Sequence, residues 1–212
     1  MSLSLIRPFP PEVHEGSFAP APELGQWVLD TFLNSQHGLY NEDHEYLGMA
    51  SIGFLWAFTA NKRAGKEIIG TAERFKPKGD KWQMARQEEQ IKNYFLYLDL
   101  PSENGGVPDF IITLDASYCD EADNASFCAL VEHELYHCSY KQDEYGSPIF
   151  MDESGKPQWS LRMHDVEEFV GVVARYGMVS PDVRRIVEAA NRPPLISQAA
   201  LISGCGICSR SK

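Results

Sequence analysis

One predicted helix near the middle of this chain constrains its fold more than any other segment. His133 and His137 form the pattern His-Glu-x-x-His, so on a helix both imidazoles lie on one side and can reach one metal ion. Apolar residues recur at three- and four-residue steps on the opposite side: Cys128, Val131, Leu135 and Cys138. Asp123 and Asn124 are candidate N-caps, and the pattern continues to about Tyr140. We therefore predict a helix that packs on one side and presents metal ligands on the other.

The residues around this motif point to a hydrolytic metal site. Glu134 follows the first histidine and leans toward the same side, where it could take a proton from a metal-bound water. Catalytic zinc usually takes three protein ligands, so one more is needed. His164 heads a predicted helix over residues 165–176, and Glu168 lies one turn later on the same face. Either could ligate while the other supports it, and the alternative is that His164 is an ordinary helix residue.

The rest of the chain predicts a mixture of helices and strands in one domain. In chain order these are a helix over residues 22–36, strands over 52–59 and 67–75 forming a hairpin around 61–65, a helix over 81–91, strands over 94–98 and 110–114, a hairpin of 149–151 with 158–161, and a helix begun by Ser180 and Pro181. Residues 1–22 are proline-rich and expected to be extended, residues 23–192 form the domain, and residues 193–212 are expected to be a flexible tail.

Composition narrows the class of protein. A net charge of −11 argues against general binding to nucleic acid or to an anionic membrane surface. The chain has no run of roughly 20 apolar residues, and its first residues lack a signal peptide pattern. Five scattered cysteines fit reduced thiols in a cytoplasm, and the lone pair Cys205 and Cys208 is interpreted as two ordinary thiols. His14, His37 and His44 are interpreted as surface residues.

Three segments together carry a family resemblance. His133-Glu134-Leu135-Tyr136-His137 is followed by His164-Asp165-Val166-Glu167-Glu168-Phe169 and by Arg175-Tyr176-Gly177. Over residues 52–177 the chain resembles the putative phage metallopeptidases, small zincin-like proteins encoded by phages and prophages. A histidine at the head of a helix after a hairpin is also similar to the SprT-like proteases. That likeness makes His164 the first choice for the third ligand and Glu168 the second, although the intervening segment is longer here.

The resemblance implies an α+β, zincin-like fold in which a small twisted mixed sheet packs on the active-site helix. It implies a zinc-dependent metallopeptidase with Zn²⁺ bound by His133, His137 and His164, a zinc-activated water, and Glu134 as general base. The substrate would be an extended peptide or protein that pairs with a strand edge, for which residues 110–115 are the candidate. Four side chains are of a type that can donate a hydrogen bond to the oxyanion: Tyr136, Tyr145, Arg175 and Tyr176. The expected location is the cytoplasm of a bacterial host.

Two other functions are compatible with the same ligands. One is a metal-stabilised phage protein that binds a host protein without turnover. Glu134 favours the enzyme, because a structural zinc has no use for an unliganded base. The other is a nucleic-acid-linked protease in the manner of the SprT-like proteins, against which the acidic composition and the absent cysteine-rich zinc ribbon argue. The sequence specifies no oligomeric state.

Overall fold

In a computed structural model of the protein, the described residues are 6–100, 106–151, 155–166, 173–174, 176–177, 180–194 and 204–205. The strands are β1 (Phe18–Pro20), β2 (Ile52–Ala57), β3 (Lys62–Arg63), β4 (Lys66–Glu73), β5 (Phe110–Asp115), β6 (Cys138–Tyr140), β7 (Trp159–Leu161) and β8 (Gly204–Cys205). The α-helices are α1 (Pro22–Val28), α2 (Lys81–Tyr94), α3 (Ala116–Glu121), α4 (Asn124–His137) and α5 (Pro181–Ala190). The result is a mixed α+β architecture.

Most of the strands form one small mixed sheet. Its order is β1-β2-β5-β4-β3, and β8 also pairs with β4. The β2–β5 pair is parallel, whereas β4 runs antiparallel to β5. β4 is the strand whose outer side is bordered by the short strands β3 and β8. A separate two-stranded sheet joins β6 to β7 directly after α4.

Alternating side chains give the sheet one face that packs on α4. Phe54 and Trp56 of β2 and Ile112 and Leu114 of β5 are fully buried on this face. They belong to the same core cluster as four residues of α4: Phe127, Leu130, Val131 and Leu135. Because burying each large apolar side chain contributes about 1.5–3 kcal/mol, this contact fixes the helix beneath the sheet.

The opposite face is covered in part by α2 and the short 3₁₀ helix Leu96–Leu98 that follows it. Phe95 lies between these helices and packs on Leu55 and Ile111. Gly53 makes this close packing possible, because a Cβ at that position would lie 2.4 Å from the Phe95 ring. The prediction of a strand over residues 94–98 is therefore wrong. These apolar residues form the end of α2 and the 3₁₀ helix after it, and they pack against the sheet.

Two further strand predictions are wrong in their pairing. β2 and β4 do not form a hairpin with each other, because β5 lies between them and pairs with both. The hairpin around residues 61–65 joins only β3 to β4. For the same reason residues 110–115 are an interior strand and not an edge. The physical cause is burial: β5 has fully buried side chains on both of its faces and gains most from the centre of the sheet.

The helix predicted to run to about Tyr140 ends at His137. Cys138 turns to an extended backbone with φ −79° and ψ 110°, and residues 138–140 become β6. β6 pairs antiparallel with β7, so residues 159–161 pair with residues 138–140. The predicted hairpin of residues 149–151 with 158–161 is therefore wrong in its pairing, because residues 149–151 pair with residues 156–158 and the returning strand continues past them to β6. Ending the helix here lets the chain return to it within one hairpin.

The remaining helix predictions agree with the structure where it is described. The first helix continues from α1 through a π-helical turn, Leu29–Leu33, and α2 begins after an Asp80 capping box. Ser180 caps α5 as predicted. Most of the helix predicted over residues 165–176 lies outside the described residues, and Gly177 follows it with a φ of +78°. No helix in the described ranges is long and apolar enough to cross a membrane.

Candidate metal centre

Three histidine side chains converge at the end of α4. The Nε2 atom of His133 lies 3.3 Å from Nε2 of His137 and 3.3 Å from Nε2 of His164. One ring nitrogen from each residue lies within 4.8 Å of the others. Among the histidine, cysteine and acidic side chains of the described residues, these three histidines are the group arranged to hold a metal ion.

The local folding that brings the three together begins at the N-terminus of α4. The Asp123 side chain accepts a hydrogen bond from the Ser126 backbone N–H at 2.7 Å. Asp123 is therefore the N-cap of α4, which begins at the next residue, Asn124. At the other end, the β6–β7 hairpin returns the chain to the helix, where the Arg162 N–H donates to the His137 carbonyl at 2.9 Å. His164 follows two residues later and thereby reaches the motif histidines.

The same residue also orients the His137 ring. His137 Nδ1 lies 2.7 Å from the Arg162 carbonyl oxygen, which can only accept, so Nδ1 carries the proton. The lone pair of a neutral ring is then on Nε2, the atom that faces the other two histidines. A backbone carbonyl that fixes the tautomer of a metal-ligating histidine is a common arrangement in metalloproteins.

Burial keeps these imidazoles in the form that a metal requires. Burial, together with the neighbouring His137 and His164, lowers the pKa of His133 to about 4. Burial also lowers the pKa of His137. Both rings are therefore neutral near pH 7, and neutral imidazole is the ligating form.

The spacing of the nitrogens fits a tetrahedral ion. With metal–nitrogen bonds of about 2.0–2.1 Å and tetrahedral angles of about 109°, two ligating nitrogens lie about 3.3 Å apart. Both Nε2–Nε2 distances from His133 are 3.3 Å. A set of imidazole ligands suits zinc, copper, iron or nickel. The three side chains therefore fit a bound transition metal.

Glu134 lies between α4 and β4 and is fully buried. A Cβ placed on Gly70 of β4 would lie 2.6 Å from Glu134 Oε1 and 2.9 Å from Leu130 Cδ1. The carboxylate thus lies directly against the backbone of the strand. On this side of α4, Glu134 and His137 are both buried, whereas His133 is partly exposed.

A pocket of about 400 Å³ opens beside the histidines. Its lining comes from α4, from the segment after β7 and from α5: His133, Tyr136, His137, Arg162, Met163, His164, Asp165, Val166 and Ile186. The pocket therefore combines the candidate ligands with one cationic side chain and several apolar ones.

The other residues singled out from the sequence lie in different places. Tyr136 lines the pocket, but its hydroxyl accepts from Asn41 Nδ2 at 2.9 Å and donates to Asp43 Oδ2 at 3.1 Å. Tyr145 is 84% exposed on the hairpin and Tyr176 is 66% exposed, and neither lines the pocket. Glu168 and Arg175 lie outside the described residues.

His44 was predicted to be a surface residue, and this is wrong. Its side chain is completely buried against the Tyr136 ring, with the two ring centroids 4.5 Å apart. Glu132 Oε1 accepts a hydrogen bond from Asn41 Nδ2 at 2.8 Å and lies 3.8 Å from His44 Nε2. The residues adjacent to His44 are the acidic Asp43 and Glu45, so the sequence around His44 carries no signal of this burial. The sequence around Arg162 also carries no signal of a functional role, because a lone arginine after a strand is common.

Comparison with known proteins identifies the family. A family model described as "Putative phage metallopeptidase" matches residues 25–191, most of the chain and all of the histidine cluster. No curated protein matches the chain. No solved structure matches it either. With this match over the greater part of its length, the chain belongs to the putative phage metallopeptidase family.

Proposed function

We propose that this protein is a zinc-dependent peptidase whose ligands are His133, His137 and His164 and whose general base is Glu134. One observation carries the proposal: three imidazole nitrogens converge within 4.8 Å of one another, two of the distances at the 3.3 Å of a tetrahedral ion, and a buried carboxylate lies on the same helix. The family implies a peptidase and a metal ion, and three protein ligands leave the fourth position that catalytic zinc requires.

Each histidine would bind through Nε2 as a neutral imidazole. Zinc, when bound, lowers the pKa of a water molecule and polarises the carbonyl of the scissile bond. The hydrogen bond from His137 Nδ1 to the Arg162 carbonyl supports this assignment, because it aims Nε2 at the other two rings.

Glu134 would transfer a proton from the attacking water to the leaving amine. Its carboxylate accepts a proton from the attacking water as the new carbon–oxygen bond forms, and it then donates that proton to the amine that leaves when the carbon–nitrogen bond breaks. Burial supports this role, because a carboxylate shielded from solvent stays in one place and interacts strongly with charge that develops nearby.

The peptide would bind in extended form along the outer side of β4. β4 therefore replaces the interior strand β5 as the candidate strand edge for binding substrate. β4 contacts α4 through Gly70, whose backbone lies against Glu134, so a peptide paired with β4 would pass close to the base. The two-residue strand β8 pairs with β4 at Ile68 and Gly70 and so covers part of this edge.

A zincin-like arrangement is part of the proposal. The features that support it are a mixed sheet, a motif helix packed beneath it, and an antiparallel strand next to that helix. The hairpin of β6 and β7 then delivers the third histidine from outside the motif.

The substitution Glu134→Gln tests the proposal most directly. Zinc content by elemental analysis should stay near one ion per chain, because glutamine keeps the shape and removes no ligand, whereas His133→Ala should lose the ion. Cleavage of an internally quenched peptide library should fall to background in Glu134→Gln. If the parent binds zinc but cleaves nothing in the library, the peptidase assignment is wrong and a binding protein without turnover takes its place. If Glu134→Gln cleaves as fast as the parent, Glu134 is not the general base and the proposed mechanism is wrong.

A further inference from the structure

The backbone of Arg162 is fixed against the metal centre at two points. Its N–H donates to the His137 carbonyl at 2.9 Å, and its own carbonyl accepts from His137 Nδ1 at 2.7 Å. Arg162 also lies two residues before His164. The start of its side chain is therefore held at the rim of the pocket that contains the three histidines.

The guanidinium group lies in that pocket. Its central carbon is 5.9 Å from the centre of the Tyr136 ring, and one NH2 group donates to Asp165 Oδ1 at 2.5 Å. Arg162 lines this pocket and its side chain remains 47% exposed, so a ligand in the pocket can reach it.

The Arg162 guanidinium has more N–H donors than its hydrogen bond to Asp165 uses. A guanidinium carries five N–H groups in a fixed fork. Within the described ranges, the acceptor that this group contacts is Asp165. Of the donors considered from the sequence, Tyr136 is engaged with Asn41 and Asp43, and Tyr145 and Tyr176 lie outside the lining of the pocket. Arg162 is the cationic residue of the described lining.

We propose that Arg162 is a catalytic residue that donates a hydrogen bond to the oxygen of the scissile carbonyl as negative charge develops on it. The inference rests on the proposed peptidase function. The ion pair with Asp165 would hold the fork in place while leaving other N–H groups directed at the substrate. A donor that strengthens its bond only as charge develops lowers the barrier more than it tightens substrate binding, so kcat should respond more than KM.

The test uses the full-length, zinc-loaded protein and a probe that does not depend on turnover. The probe is an N-acetylated, C-terminally amidated dipeptide analogue with a phosphinate group in place of the scissile bond, titrated by calorimetry. Arg162→Met keeps the backbone contacts to His137 and the length of the side chain but removes the charge. We expect one zinc per chain to be retained and phosphinate affinity to fall about 100-fold, with a smaller loss in Arg162→Lys.

Arg185→Met in α5 is the matched control, because it removes an exposed guanidinium that is also paired with an aspartate three residues away but does not line this pocket. It should bind the phosphinate within about threefold of the parent. Equal affinity of the parent and Arg162→Met, no binding by the parent, or loss of zinc in Arg162→Met would each overturn the inference. So would a loss of cleavage by Arg162→Met that appears only with free-acid peptides, because Arg162 would then bind the substrate's terminal carboxylate. A parent that binds the phosphinate through Arg162 but cleaves no peptide would instead contradict the proposed function alone.

Discussion

The backbone of Gly70 lies against the side chain of Glu134, and a Cβ at Gly70 would come within 2.6 Å of Glu134 Oε1. This contact joins the strand proposed to bind substrate to the residue proposed to move the proton. A side chain at position 70 would have to displace the carboxylate, the strand or Leu130. The absence of a side chain at Gly70 therefore lets the sheet and the motif helix pack at this distance.

Gly70→Ala should impair both packing and catalysis. Forcing one methyl group into a packed contact costs about 1–3 kcal/mol of unfolding free energy. Moving a catalytic group by about 1 Å can cost about 100-fold in rate, so kcat/KM should fall by about that factor. Gly25→Ala in α1 is the control, because a Cβ there has no atom within 4 Å and alanine favours a helix. Denaturant unfolding and peptide cleavage measure the two effects, and wild-type values for Gly70→Ala would contradict the argument.

His164→Ala should release the metal. Mutating a residue that only hydrogen-bonds to a metal ligand typically weakens metal binding by roughly 10- to 100-fold. Removing one of the three ligands themselves should weaken zinc binding by more than this. Glu168→Ala should weaken it less, and His37→Ala should have no effect, because His37 is not part of the cluster and lies in the loop before the 3₁₀ helix Glu42–Met49. Competition with a chromogenic chelator gives the affinities. The reverse order for His164 and Glu168 would transfer the third ligand position to the glutamate.

His44 should make stability depend on pH. Burial lowers its pKa to about 4 from the ordinary 6.5, with the charge of Asp43 opposing that shift, and its two nitrogens have no hydrogen-bond partner among the described residues. Between those two values the unfolded chain binds a proton that the folded chain does not. Stability from this residue is therefore complete above about pH 6.5 and is lost as the pH falls toward 4, by about 3 kcal/mol in all.

His44→Phe tests that effect, because it keeps a ring against Tyr136 but removes the titrating group. The unfolding free energy of the variant should vary less steeply than that of the parent between pH 6.5 and 4. His133 and His137 titrate in the same direction, so part of the slope will remain. Identical slopes in both proteins would show that His44 is not the source.

Removing β8 should uncover the substrate edge of β4. Ending the chain at Pro194 deletes the strand that pairs with Ile68 and Gly70, so a peptide no longer has to displace it. Because each backbone hydrogen bond contributes about 0.5–1.5 kcal/mol net, kcat/KM for an extended peptide should rise about tenfold. A chain ending at Cys205 keeps β8 and is the control. Equal activity of both shortened proteins would indicate that the peptide binds elsewhere.

Much of the local structure could be predicted from the sequence because it depends on neighbours along the chain. Asp123 and Ser180 cap helices, and Gly177 adopts the positive φ expected after a helix. The helical positions of His133, Glu134 and His137 follow from the same local pattern. Strand pairing could not be predicted in this way. The insertion of β5 between β2 and β4 depends on burial on both faces of the sheet, which involves residues distant in the sequence.

The sequence by itself determined the motif, its helix and the family, because spacing along one helix decides which side chains share a face. It also named His164 as a partner without determining that its ring would lie 3.3 Å from His133. Only the tertiary structure decided that convergence, together with the burial of His44, the contact of Gly70 with Glu134 and the position of Arg162 in the pocket. Each of these depends on how a hairpin or a strand returns to α4, and that return is set by packing between segments far apart in the chain.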